Sequence, residues 1–186
     1  MKKLILSAVM IVSSVMVNAQ FAKLSPDGFI LGENNKGLII EVPGKTASEL
    51  YKNTLDFINK NYNNPENKIS ADSENKYLRF TTIDNNIAKI NTINIGGGKN
   101  IAGTTTYELD FKDGKFRVYS MTPNWYRGEI NNPYPIKCGV FTSVYNCKGE
   151  IRRDTEKNNV IQSIEKHYNN FFTALVAHLS ESNNNW

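Results

Sequence analysis

The chain has 186 residues, 40% of them apolar and 11% aromatic, with 22 basic against 18 acidic side chains. That length supports one domain with a real core and is short for two, and the apolar content excludes a disordered chain. Taking Lys2 and Lys3, which fall in a removable leader, from the basic count leaves 20 against 18, a net charge of +2. This is too balanced to imply nucleic acid or an anionic membrane surface as a partner.

The leader is residues 1–19. Lys2 and Lys3 open it, Leu4 to Val17 is apolar apart from Ser7, Ser13 and Ser14, and Val17-Asn18-Ala19 precedes Gln20. This is the pattern of a secretory signal peptide cleaved after Ala19, which sends the mature chain to the periplasm or the extracellular space. The apolar run is about 14 residues where a membrane span needs roughly 20, so no integral membrane segment is expected after cleavage. No cysteine follows the run to carry a lipid anchor.

Residues 20–35, with Pro26, Asp27-Gly28 and Asn34-Asn35, read as an irregular lead-in with a short strand at Phe29 to Leu31. A single domain is expected over 36–181. It opens on a strand with Leu38, Ile40 and Val42 on one face, stopped by Pro43-Gly44. Thr46-Ala47-Ser48-Glu49 is a capping box. The helix behind it carries Tyr51, Leu55, Ile58 and Tyr62 on its apolar stripe, widened by Leu50 and Phe57, and Asn63-Asn64-Pro65 ends it.

Lys68 to Asp72 and Lys76 to Ile83 form an expected hairpin around Ser73-Glu74-Asn75. A further strand over Ile87 to Ile95 alternates poorly, and Gly96-Gly97-Gly98-Lys99-Asn100 breaks the chain after it. The clearest hairpin spans Thr104 to Met121. Tyr107, Leu109, Phe111, Phe116 and Val118 share one face, Thr106, Glu108, Asp110, Arg117 and Tyr119 the other, and Asp113-Gly114 supplies the turn. One apolar and one polar face call for helices on one side only.

An excursion follows at about 123–149, with a small ribbon at about Val140 to Tyr145. A long helix then runs from near Asp154 to about Glu181, with Val160, Ile164, Tyr168, Phe171, Leu175 and Leu179 as its stripe and Phe172 and Val176 beside it. Residues 182–186 read as a frayed tail. The predicted fold is α+β, a two-layer sandwich of an antiparallel sheet with both helices on one face.

The run IIEVPGKTASELYKNTLDFINKNY, a pair of short strands, and YELDFKDGKFRVYSMT, behind a signal peptide, resemble the exported proteins grouped as domain of unknown function 4468, typical of Bacteroidetes. The resemblance covers about residues 36–122 and, more loosely, the C-terminal helix. It implies a fold like that of the TATA-binding protein, with an exported location. It supplies no catalytic residues, and the 123–149 segment has no counterpart in it.

Little in the chain has the spacing that chemistry needs. Cys138 and Cys147, the two cysteines, are expected to form a disulfide closing a loop of about ten residues and adding on the order of 2 to 3 kcal/mol, with free thiols as the alternative. His167 and His178 are eleven residues apart, about 16 Å along a helix, and cannot share a metal. Gly96-Gly97-Gly98-Lys99 fails as a phosphate loop because Ile93 stands at the first glycine and Asn100 at the hydroxyl. No nucleophile elbow occurs. Glu108 and Asp110 read as a solvated strand face, and the many asparagines as solvation and turn chemistry.

Trp125, Tyr126 and Tyr134, set among prolines, form the candidate binding patch, since such rings are enriched in binding hot spots; alternatively they close the open end of the sheet. The reading is an exported, non-catalytic binding domain without cofactor or metal. Its expected ligand is a protein or peptide, held by the sheet's solvent face or by the excursion. An envelope hydrolase, or an inhibitor of one, built from residues distant in sequence is the alternative, and a structural envelope component joined through a sheet edge is the third.

Overall fold

The computed structural model describes residues 21–32, 36–62, 69–90, 99–128, 132–139, 143–153 and 159–181. The expected signal peptide and its cleavage site, the Asn63-Asn64-Pro65 stop, the triple-glycine stretch, the helix start expected near Asp154 and the tail lie outside these residues. So does most of the ribbon expected near Val140.

Within the described residues the fold is the expected α+β sandwich. β3 (Leu38–Glu41), β4 (Ile69–Ser73), β5 (Tyr77–Ile90), β6 (Lys99–Lys112) and β7 (Lys115–Arg127) make an antiparallel sheet in the order β3-β7-β6-β5-β4. Helices α1 (Ala47–Asn61) and α2 (Val160–Glu181) pack on one face of it. None of the described helices is long and apolar enough to cross a membrane.

Local chemistry explains the element boundaries. Gly44 and Gly114 adopt positive φ at the two turns that need it. The capping box forms: Thr46 Oγ1 accepts from Glu49 N at 3.2 Å, and Thr46 N donates to Glu49 Oε2 at 2.7 Å. These bonds from Thr46 hold the Glu49 carboxyl below the usual carboxylate range. Asp113 Oδ1 accepts from Ala47 N at 2.8 Å, so the β6–β7 turn also supports the start of α1.

The core lies between helices and sheet. Tyr107 stacks between Phe80 and Phe171, with ring centroids 5.1 and 4.6 Å away. The buried line on α1 is Leu50, Tyr51, Thr54, Phe57 and Ile58, with the predicted Leu55 half-buried. Thr54 enters the core because its hydroxyl donates to the Leu50 carbonyl at 2.7 Å. On α2 the predicted residues are buried, apart from Phe171, which is half-buried.

Three features differ from the sequence reading. The lead-in is a hairpin, β1 (Ala22–Ser25) against β2 (Gly28–Leu31), whose Phe21, Ala22, Leu24 and Leu31 are core residues. Of the strand expected over Ile87 to Ile95, residues 91–95 lie outside the described residues, and 87–90 are the continuation of β5 beyond a bulge between Asp84 and Ala88, which inserts residues and spoils the alternation. β7 runs on through Pro123 to Arg127, so the excursion starts later than Pro123. Around the expected ribbon, the described part of that segment holds isolated bridges, among them Lys137 with Tyr145 and Tyr145 with Ile151.

A second bulge, on β7, shifts the register between Val118–Leu109 and Ser120–Glu108 and leaves Tyr119 unpaired. Inward-facing residues change from even to odd numbers, from Phe116 and Val118 to Met121 and Trp125. Trp125 then lies opposite Gly103, where a Cβ would overlap the Asn124 carbonyl and approach Trp125 Cα to 3.0 Å. Gly103→Ala is expected to destabilise the fold by about 1 to 3 kcal/mol through overpacking, read as a lower midpoint in urea unfolding.

Candidate functional site

The face of the five-stranded sheet turned away from the helices is uncovered by any described element. Register defines its rows. Ile39, Arg117, Asp110 and Tyr77 lie side by side across β3, β7, β6 and β5. Glu41, Lys115 and Lys112 form the row next to it, at the end with the Asp113-Gly114 turn. Farther along come Ser120, Glu108 and Arg79, then Thr122, Thr106 and Thr81.

Most charges in the middle of this face are matched. Arg117 bonds Asp110, with Nε 3.0 Å from Oδ2, and its guanidinium sits 5.5 Å from the centre of the Tyr119 ring. Glu108 accepts from the Tyr77 hydroxyl at 2.9 Å and lies 3.8 Å from Arg79 Nε. Burial and the bond to Glu108 together push the Tyr77 phenol up. Thr81 and Thr106 join hydroxyls at 2.9 Å.

The turn end is different. A hollow of about 570 Å³ there is lined by Ile39, Lys76, Asp110, Lys112, Lys115 and Arg117, among others. Ile39 is 58% exposed at its edge. Lys115 lies 3.8 Å from Glu41, and Lys76 and Lys112 have no carboxylate within ion-pair distance among the described residues. Four cations therefore line one hollow together with the exposed Ile39, with Asp110 and Glu41 as the nearby counter-charges. An anion with an apolar neighbour matches this surface in both respects.

The candidate residues are placed as follows. Trp125 and Tyr134 are buried, at 4% and 3% exposure, so they present no ring to a partner; Tyr126 is half-buried. Trp125 Nε1 donates to the Tyr168 hydroxyl at 2.8 Å, and that hydroxyl shares a 2.8 Å bond with Thr105. Burial pushes the Tyr168 phenol up to about 12. Cys138 and Cys147 are joined in a disulfide, their Cα atoms 4.4 Å apart. His178 Nε2 lies 3.0 Å from Asp56 Oδ2, and His167 Nε2 lies 3.6 Å from Asp84 Oδ1, so each histidine faces a different carboxylate. Among the described residues no group of three or more His, Cys, Asp or Glu side chains is arranged to hold a metal ion.

The lysine cluster was missed because its members are distant in sequence. Its trace is three lysines beside two turns, Lys76 after Ser73-Glu74-Asn75 and Lys112 and Lys115 around Asp113-Gly114. Pairing of β5 with β6 brings the two turns together, and Phe111 N donates to the Lys76 carbonyl at 2.9 Å.

The chain matches no family model, no curated protein and no solved structure. The resemblance to the exported family of unknown function rests on the residues quoted for it.

Proposed function

We propose that this protein is an exported, non-catalytic domain that binds an acidic segment of a protein or peptide on the open face of its sheet, at the Asp113-Gly114 end. The observation that carries the reading is the hollow that Lys76, Lys112, Lys115 and Arg117 line together with the exposed Ile39. An extended acidic strand bearing an aliphatic residue would set that residue on Ile39 and its carboxylates among the lysines. Export is supported by the basic and apolar leader and by the bonded cysteine pair, which suits an oxidising compartment.

Binding is favoured over hydrolysis by the state of the candidate nucleophiles and bases. Both cysteines are used in one disulfide, and His167 and His178 are turned to Asp84 and Asp56. A structural role through edge pairing is disfavoured because the two edge strands, β3 and β4, are only four and five residues long.

The test uses the chain from Gln20 onward and fluorescent peptides of glutamate and leucine, with lysine-for-glutamate copies as controls. The glutamate peptide is expected to bind and the lysine peptide not. The double variant Lys76→Glu with Lys112→Glu is expected to weaken binding about tenfold or more, since two charge reversals at a screened surface are worth more than 1.4 kcal/mol. Equal binding of both peptides, or an unchanged affinity in the folded double variant, would remove the reading.

A further inference from the structure

A second concavity lies on the other side of the sheet, where the C-terminal end of α1, the middle of α2 and the bulge of β5 meet. It is an open cleft of about 380 Å³ lined by Phe57, Tyr62, Asp84, Tyr107, His167 and Phe171, among others. Its unusual member is Asp84. On β5 the inward series runs Leu78, Phe80, Thr82, and alternation puts position 84 on the same apolar face. A carboxylate there costs solvation that an apolar residue would not, and is expected only where something answers it.

The partners in place answer it incompletely. Thr82 Oγ1 donates to Asp84 Oδ2 at 3.0 Å, while Oδ1 faces His167 Nε2 at 3.6 Å, beyond hydrogen-bond length. No lysine or arginine lines the cleft among the described residues. The other polar residues of the lining are Asn61, Asn170, Tyr62 and Tyr107, none of them a cation. Tyr107 is bonded to Thr82, and burial, with Asp84 as a further cause, pushes both Tyr62 and Tyr107 up, so both remain uncharged hydroxyls. Aromatic rings, with Ala174, supply the apolar part of the wall. Phe171 stacks on Tyr107 and meets Phe57 edge-on at 5.8 Å between centroids.

A carboxylate without a fixed counter-cation, set among aromatic rings, has the chemistry that recognises an ammonium group. We infer that this cleft binds a small organic cation, a quaternary or primary ammonium carrying an apolar body, with the charge beside Asp84 and the alkyl groups on the half-buried ring of Phe171. An anion would meet Asp84 directly, and a purely apolar ligand would leave the carboxylate desolvated. The site is independent of the peptide surface, which lies on the opposite face of the sheet.

Choline and its uncharged counterpart 3,3-dimethyl-1-butanol share one shape and differ in charge, so titrating the chain from Gln20 onward with each, observed by NMR, separates the cation from its bulk. Choline is expected to shift the resonances of Phe171, His167 and Ala174, and the alcohol to bind about tenfold more weakly or worse. Asp84→Asn is expected to abolish the preference for choline. Should that variant lose its fold, Phe171→Leu keeps the carboxylate and is expected to weaken choline more than the alcohol. Equal affinity for the two compounds, shifts confined to other surfaces, or no shifts at saturating choline would each overturn the inference. Neither result depends on whether Lys76 and Lys112 bind peptides.

Discussion

Tyr168→Phe is expected to lower the stability of this domain by about 2 to 4 kcal/mol, although it removes a single oxygen atom. That hydroxyl accepts from Trp125 Nε1 and shares a bond with Thr105 Oγ1, and all three side chains are buried. Its loss leaves an indole N–H and a threonine hydroxyl facing a ring edge with no water to replace the partner. Each unsatisfied group costs about 1 to 3 kcal/mol, against a total stability of only about 5 to 15 kcal/mol for a domain. The network ties three parts of the fold together: α2 through Tyr168, β6 through Thr105 and β7 through Trp125. Phe29 of β2 packs on both rings, with centroids 4.8 Å from Tyr168 and 6.1 Å from Trp125.

Urea unfolding measures the loss as a shift of midpoint at constant slope. Adding Thr105→Val to Tyr168→Phe removes one of the stranded groups, so the double variant is expected to be more stable than the sum of the single effects. Strict additivity, or a Tyr168→Phe midpoint equal to that of the wild type, would show that the hydroxyl carries no such weight.

The second large effect is expected at Asn169, and it concerns how the N-terminal hairpin is held. Asn169 Oδ1 accepts from Phe21 N at 2.7 Å and from Ala22 N at 3.0 Å, while its Nδ2 donates to the Ala22 carbonyl at 3.1 Å. Glu165 Oε1 accepts from Leu24 N at 2.9 Å, and the Tyr145 hydroxyl donates to the Leu24 carbonyl at 3.1 Å. The outer edge of β1 is thus paired by side chains of α2 and by Tyr145 where a sheet would supply another strand. An asparagine carries both an acceptor and donors on one amide, the combination that an open strand edge presents.

Asn169→Ala is expected to cost about 2 to 4 kcal/mol, the price of leaving partly buried backbone groups without partners. The loss should be local as well as global. Amide exchange at Phe21 and Ala22 should approach the unprotected rate, while the β6–β7 hairpin keeps its protection in the folded state. Glu165→Gln keeps an acceptor oxygen for Leu24 N and is expected to cost far less. Undiminished protection at Phe21 and Ala22 in Asn169→Ala would show that the hairpin is held by its core contacts alone.

These two residues mark the limit of what the sequence shows. The capping box, the Asp113-Gly114 turn, the apolar faces of β3, β6 and β7 and the stripe of α2 were legible because each is set by neighbours within a few residues, through turn chemistry or a period of 2 or 3.6. The two-layer arrangement followed from one further step, since a sheet apolar on one face buries that face under helices. The asparagines, by contrast, read as solvation. Asn169 acts otherwise only because β1 lies beside it, 147 residues away in the chain.

The candidate sites were decided by tertiary structure alone. Trp125 and Tyr134 had the composition of a binding patch, but one unpaired residue at Tyr119 reverses the facing of β7 and turns Trp125 into the core. A bulge has no fixed local signature, so alternation carried past it gives the wrong face. The lysines of the open face left only their places beside two turns, and the Asp84–His167 cleft left no signal, because their members come together only when β5 pairs with β6 and α2 settles on the sheet. By itself the sequence determined the capped helix, the Asp113-Gly114 hairpin and the apolar faces up to the bulges, which depend on local spacing. Only the folded chain decided which polar groups meet, because that depends on register and docking between segments that no periodicity connects.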